Sequence, residues 1–295
     1  MTQPTSPLDR RGFLRVGAAA TLGLAGLSRS ALAAEDRAKS AAEFGGFTVG
    51  IQSYTFRKFK LDQTLQRIQD LGVHFVEFYN GHVPISQNTA QIAAVKKLCS
   101  DHGITPVAFG VENFKKDHAF NKAKFDFAQE LGVKYLSADP DPDSFDSLDK
   151  LCDETKIAIA IHPHGPVGGG KLHRWYSAEV IMAAVKDHSP LIGTCLDTGH
   201  LIRSEQLGKH LDPVQQVKVM GPRNFGLHLK DHDNQRKEDV PFGKGVLDVP
   251  GVLKALKEVG FKGYISIEYE AHADNPTPDV KECVAYLKDA AKKVA

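Results

Sequence analysis

The sequence predicts an α/β protein of the (β/α)8 TIM barrel class. Three observations carry that expectation. Strand-like and helix-like segments alternate eight times between residue 47 and the C-terminus, a pattern that demands parallel strands joined by right-handed crossovers. At least four of the strand-like runs end in a residue with metal-ligand chemistry, and only a closed ring brings so many strand ends to one centre. No G-x-G-x-x-G follows the first strand, which removes the main signature of the open dinucleotide-binding sheet.

The elements follow in order. The first strand is expected over 47–56, and the helix after it carries Leu61, Leu65, Ile68 and Leu71 at helical spacing before Gly72 closes it. A second strand over 74–79 leads to a helix over 88–100 with Ile92, Val95 and Leu98 on one face. The third strand, 104–111, precedes a helix over 119–131 that Gly132 ends. The fourth, 135–138, passes through the acidic, Pro-rich 139–143 to a helix over 144–154. The fifth, 157–161, is wholly apolar, as a strand buried on both faces should be, and a Gly-rich loop over 165–170 follows it. A helix over 177–187 and a strand over 191–197 come next, then a helix over 207–218 and a strand over 224–230. A helix over 250–259 with Pro250 in its first turn, a strand over 264–268 and a helix over 279–293 complete the count.

The 295 residues, 42% hydrophobic and 25% charged, supply enough apolar material for one large domain. Lys and Arg number 37 against 36 Asp and Glu, a net charge of +1. That balance gives no electrostatic reason to expect nucleic acid or an acidic membrane surface, so the expected partner is a small molecule. Histidine is the unusual component. Eight of the 13, namely His82, His162, His164, His173, His200, His228, His232 and His272, stand at or just after strand ends.

The first 34 residues are set apart from the fold. Asp9-Arg10-Arg11-Gly12-Phe13-Leu14-Arg15, an apolar run from Val16 to Leu27 and Ala31-Leu32-Ala33 form a charged region, an apolar region and a small-residue cleavage site. This resembles a twin-arginine export signal. The apolar run is too short to span a bilayer, so the mature chain is expected to be periplasmic or otherwise exported, without stable membrane insertion. Residues 35–45 read as a linker and 46–295 as the barrel domain. The four cysteines, Cys99, Cys152, Cys195 and Cys283, show no paired spacing and are expected to be free, mostly buried thiols.

Candidate chemistry concentrates at four strand ends: His162, Asp197, His228 and Glu268 close strands five to eight, which are adjacent staves of a barrel. Two imidazoles and two carboxylates around one point suit one divalent ion of manganese, zinc, cobalt or iron better than magnesium, which prefers oxygen donors and water. Each residue alone also fits a helix cap or a hydrogen-bonded structural role.

Residues 47–293 resemble the sugar phosphate isomerase/epimerase family, the xylose-isomerase-like barrels. The motifs that carry the resemblance are Cys195-Leu196-Asp197-Thr198-Gly199-His200, Leu227-His228-Leu229-Lys230-Asp231, the run from Pro241 to Asp248, and Gly263-Tyr264-Ile265-Ser266-Ile267-Glu268. The resemblance implies a metal-dependent sugar isomerase or epimerase that abstracts a proton next to a carbonyl, with Asp197, His228 and Glu268 as metal ligands. Many members have Glu-x-His at the fifth strand, where this chain has His162-Pro163-His164. His162 can replace Glu as a ligand but not as a base, because a metal-bound imidazole nitrogen has given up its lone pair. Only Glu268 then matches the catalytic carboxylate pair, and the missing acid/base role falls to His164, Glu112 or Glu77; for Glu77, orienting a neighbour is an equal alternative. His200 and Lys230 are expected as substrate contacts, Lys230 as a cation near a developing oxyanion. Arg203 is expected at the mouth or in solvent, and Trp175 either on a sugar face or as a loop anchor on the barrel rim. The Gly243–Gly245 turn presents amides that suit an anion, but it reads as a loop that shapes the site.

An exported member points to an unphosphorylated carbohydrate. The departure at the fifth strand leaves open a lyase or dehydratase acting on a keto-sugar or 3-keto-glycoside, and a non-catalytic exported sugar-binding protein. A homo-oligomer is left open too.

Overall fold

The computed structural model describes Ala38 and residues 41–294; the expected export signal and residues 35–37, 39 and 40 of the linker lie outside them. Eight parallel strands close into a barrel. They are β1 (Thr48–Gln52), β2 (Phe75–Phe78), β3 (Thr105–Phe114), β4 (Tyr135–Pro140), β5 (Ala158–Ile161), β6 (Ile192–Asp197), β7 (Asn224–Leu229) and β8 (Tyr264–Ile267). Each pairs with its sequence neighbour, and Thr48 opposite Tyr264 joins β1 to β8 and leaves no free edge.

The helices are α1 (Leu61–Asp70), α2 (Thr89–Asp101), α3 (His118–Leu131), α4 (Phe145–Thr155), α5 (Ala178–Val185), α6 (Thr198–Arg203), α7 (Pro213–Met220), α8 (Val249–Glu258) and α9 (Thr277–Lys293). Local chemistry sets their starts. The Asn88 side chain accepts from the amides of Ala90 and Gln91 at the head of α2, and Asp117 does the same for Ala119 and Phe120 at α3. None of the described helices is long and apolar enough to cross a membrane.

The hydrophobic core lies between barrel and helices. Inside the barrel a smaller layer of Ala108, Ala160, Cys195 and Tyr264 fills the floor. Gly226 makes room for it, since a Cβ there would lie 2.6 Å from the Tyr264 ring. All four cysteines are free and buried.

Three elements differ from their expected form. The first strand stops at Gln52, whose side chain accepts from the Tyr54 amide at 3.2 Å and starts a 3-10 turn over Ser53–Phe56. The helix expected over 207–218 begins at Pro213, because Pro lacks an amide to donate and Asp212 caps the turn that follows; a separate short helix, α6, follows Asp197 directly. The Gly-rich loop carries a small hairpin, Pro166–Val167 against Lys171–Leu172, and a second hairpin, Asp231–Asp233 against Glu238–Val240, follows β7.

Candidate active site

The ligand atoms of His162, Asp197, His228 and Glu268 all lie within 4.8 Å of one another. His162 Nε2 is 3.2 Å from His228 Nδ1 and 3.3 Å from Asp197 Oδ2. His228 Nδ1 is 3.1 Å from Glu268 Oε2 and 3.8 Å from Asp197 Oδ2. Donor atoms about 3 Å apart are what bonds of roughly 2.0–2.2 Å to one shared ion require. Asp197 sharpens the fit. Its Oδ1 accepts from the His200 amide at 2.6 Å, while its buried Oδ2 makes no hydrogen bond and faces the centre. The donor set fits a divalent transition metal.

Beneath the centre, Glu77 is fully buried in the barrel floor. Its Oε2 faces His228 Nε2 at 2.9 Å and accepts from Ser266 Oγ at 2.7 Å. Its Oε1 accepts from Ser137 Oγ at 2.5 Å and Tyr264 OH at 3.3 Å. A carboxylate so placed holds a proton on Nε2 and points the Nδ1 lone pair at the centre. Burial opposes charge on His228, but the Cys195 thiol, Glu77 and Glu268 outweigh it and hold its pKa well above the usual imidazole range. A metal at Nδ1 would take the place of the second proton.

Lys230 is 1% exposed, its Nζ 3.2 Å from Asp197 Oδ2 and 3.0 Å from Glu268 Oε2 while donating to Glu270 Oε1. Burial disfavours its charge, yet the three carboxylates raise its pKa above the ordinary lysine value. In return, against the opposing effect of burial, Lys230 and then His228 bring Glu268 down to about 2. Lys230 and His200 likewise hold Asp197 well below the carboxylate range.

Above the centre opens a cavity of about 590 Å³. Its β5–β8 side carries His162, His164, His200, Arg203, Glu268 and Glu270. His200 Nδ1 accepts from the Gly165 amide at 3.0 Å, so its proton sits on Nε2. Burial lowers its pKa well below the usual value despite Asp197, with Lys230 and Arg203 adding to the effect. His164 packs against His200 with ring centroids 3.8 Å apart at 33°; burial, then the nearby His162, lowers its pKa to about 4. Arg203 Nη2 lies 3.6 Å from both Asp239 Oδ1 and Glu270 Oε1, and its Nε and Nη2 make no hydrogen bond. Asp239, Asp197 and Glu270 outweigh its burial and keep it charged.

The model of the family described as xylose isomerase-like TIM barrel matches residues 65–290. The chain belongs to this family. A 91-residue stretch is 31% identical to an uncharacterised protein of Methanocaldococcus jannaschii, 30% of each chain, so the match spans under a third of that relative's length. Among solved structures, a putative uncharacterised protein of Parabacteroides distasonis is 28% identical over 82% of this chain and 98% of its own, with a TM-score of 0.64. An L-ribulose 3-epimerase shares 15% identity over 84% of this chain and 95% of its own, with a TM-score of 0.66. The 3-keto-D-glucoside 4-epimerase of E. coli shares 16% over 82% and 99%, with a TM-score of 0.63. The structural neighbours thus include sugar epimerases, and at these identities the epimerase likenesses concern the fold.

Within this xylose isomerase-like barrel, the other expected site residues divide. Glu112 lines the cavity, but Lys124 Nζ donates to its Oε2 at 2.6 Å and Asn80 Nδ2 to its Oε1 at 3.1 Å, so both oxygens are engaged. Of the roles open to Glu77, orienting His228 matches its place in the floor; it has no face on the cavity. Trp175 lies off the cavity wall, 4% exposed, its indole N–H donating to the Pro140 carbonyl at 2.9 Å and its ring edge-on to Phe145. It anchors the rim. The amides of the Gly243–Gly245 turn are taken by the protein itself: the Asp231 carboxylate accepts from His232, Gly243, Gly245 and Leu247 at 2.9 to 3.0 Å.

The sequence did not single out Glu270, Tyr54, Tyr79 and Val111, which also stand on the cavity wall. For Glu270 the signal was present, since it follows Glu268 by two residues.

Proposed function

We propose that this chain is a metal-dependent sugar isomerase or epimerase that removes a proton from the carbon next to the carbonyl of a ketose or keto-sugar. The observation that carries the reading is the convergence of His162, Asp197, His228 and Glu268 at the floor of the cavity. Membership of the barrel family and the sugar-epimerase neighbours support it. A bound divalent ion would polarise the carbonyl as a Lewis acid. His200 offers its Nε2–H to a substrate hydroxyl. The Arg203 guanidinium, which lines the cavity, gives a cation near an oxygen on which negative charge develops. Glu268 takes the carbon-bound proton, and His164, unprotonated at neutral pH, is the second acceptor.

The substrate is unphosphorylated in this reading, because Asp231 already fills the Gly243–Gly245 turn and Glu112, Asp139, Glu268 and Glu270 line the cavity. Residues 1–34 are read as a twin-arginine signal that delivers the chain to the periplasm, a reading supported by the Arg10-Arg11 run and the apolar stretch behind it. A second reading rests on His162. With one of the family's carboxylates replaced, the enediolate expels a neighbouring oxygen group, and the enzyme is a lyase on a keto-sugar or 3-keto-glycoside.

Proton NMR in deuterated water, with the metal-loaded protein and a panel of ketoses, keto-sugars and 3-keto-glycosides, tests both. Deuterium beside the carbonyl with an intact skeleton, abolished by a chelator, is the expected result. A new enone with release of water or an alcohol selects the lyase. No exchange and no consumption across the panel would leave a sugar-binding protein as the reading.

A further inference from the structure

The centre occupies only one side of the cavity. All four converging donors belong to β5–β8, whereas the wall over β1–β3 carries Tyr54, Tyr79 and Val111. Tyr54 and Val111 are 37% and 41% exposed, two of only six large hydrophobic residues exposed among the described ones. Two such residues facing one cavity make an apolar patch where scattered single exposures are the ordinary case.

This wall is built in place. The Tyr54 and Tyr79 rings pack edge to face with centroids 5.3 Å apart at 84°. The Arg57 guanidinium lies 4.7 Å from the Tyr54 ring centroid and is pinned through Nη2 to the Glu270 carbonyl at 2.6 Å. The Tyr79 amide donates to Ser53 Oγ at 3.0 Å, and its ring packs against His82 at 4.8 Å. Gly81 permits that position, since a Cβ there would lie 2.4 Å from the Tyr79 ring. Rings already ordered by the protein cost little to order on binding, and the pair presents one ring face and one ring edge to a flat ring. The volume of about 590 Å³ leaves room for a ligand larger than one sugar ring.

We propose that the wall over β1–β3 is an aglycone subsite, and that the substrate is a glycoside whose reacting sugar sits at the centre while a second flat ring lies on Tyr54, Tyr79 and Val111. The inference rests on the functional reading above for the position of the reacting sugar. Both an aromatic aglycone and a second pyranose present the required flat face, and the test separates them.

Binding of methyl β-glucoside, phenyl β-glucoside and cellobiose to the metal-loaded protein is measured by calorimetry and saturation-transfer NMR. The expected result is about tenfold tighter binding of one two-ring probe over the methyl glucoside, with saturation strongest on its second ring. Which probe wins identifies the aglycone as aromatic or carbohydrate. Tyr54→Ala and Val111→Asp, both at partly exposed positions, should bring the affinity ratio toward one while the protein stays folded, with the thermal midpoint of Tyr54→Ala lowered by no more than the loss of its Tyr79 and Arg57 contacts accounts for. Equal affinities, no binding of any probe, or a preference that survives both substitutions would overturn the subsite. Binding needs no turnover, so a failure of deuterium exchange counts against the isomerase reading alone, and equal affinities count against the subsite alone.

Discussion

Replacing Glu77 with Gln keeps the volume of the buried side chain and removes its charge. The carboxylate accepts four hydrogen bonds, from His228 and Ser266 on one oxygen and from Ser137 and Tyr264 on the other. An amide has one acceptor oxygen, and its best orientation places that oxygen opposite His228 Nε2 and Ser266. The hydroxyls of Ser137 and Tyr264 then rotate to accept from the NH2 group. The fold therefore keeps its hydrogen bonds, while the imidazole loses the negative charge that fixes its proton on Nε2 and makes Nδ1 a strong donor. Loss of such a partner lowers metal affinity about 10- to 100-fold, or about 1.4–2.8 kcal/mol. Competition for zinc or manganese against a chromophoric chelator, with circular dichroism to establish folding, gives the number. Glu112→Gln, the same change in a carboxylate remote from His228, should stay within about twofold of the parent protein. A folded Glu77→Gln protein with unaltered metal affinity would refute the orienting role.

Three further outcomes are expected. Lys230→Met strands Asp197, Glu268 and Glu270 without their buried cation, and should cost the metal-free protein about 3–5 kcal/mol; an added divalent ion restores compensation, so the metal-induced rise in thermal midpoint should exceed that of the parent, and an equal rise would sink the argument. Arg223 Nη1 donates to the carbonyls of Val185 and Ile192 at 2.7 and 2.8 Å and its Nη2 to that of His188 at 3.2 Å; Arg223→Ala should destabilise the fold by about 1.5–3 kcal/mol, read by urea unfolding, with metal affinity retained. Asp139, held below its usual pKa by His173 and Arg174 against the opposing effect of burial, stabilises the fold above its unfolded pKa and loses that contribution as pH falls through its folded value. Asp139→Asn should therefore be less stable than the parent at pH 7, with the gap narrowing as pH falls below the unfolded value and closing once the folded carboxyl is protonated; a gap that does not narrow in acid would assign the effect to packing.

The closed barrel was legible because each strand and helix carries its own period and its own stops, as Asn88 and Asp117 illustrate at two helix starts. The convergence of His162, Asp197, His228 and Glu268 was legible for a simpler reason. A strand that is apolar until its last residue has one end facing a cavity, and a parallel barrel puts all such ends on one side. What stayed hidden depended on partners far away in sequence. Glu77 reads as a strand-end carboxylate, and only the His228 ring opposite, 151 residues later, fixes what it does. Asp231 stands in a recognisable motif, yet its work is done by a loop that folds back 12 to 16 residues further on. Tyr54 was lost inside an overlong strand, because the cap that turns the chain there is the side chain of Gln52 and not a glycine or proline.

Lys230 has a consequence for how the protein is assembled. Buried carboxylates such as Asp197 and Glu268 repel one another unless positive charge lies beside them, and a site with none of its own would lean on a bound ion to finish folding. Here the ammonium of Lys230 is part of the polypeptide, held by Asp197, Glu268 and Glu270. Folding and metallation become separable events. Under the metal reading, the chain would reach its native shape without the ion and receive it afterwards, so that ion supply would govern activity and leave the shape untouched.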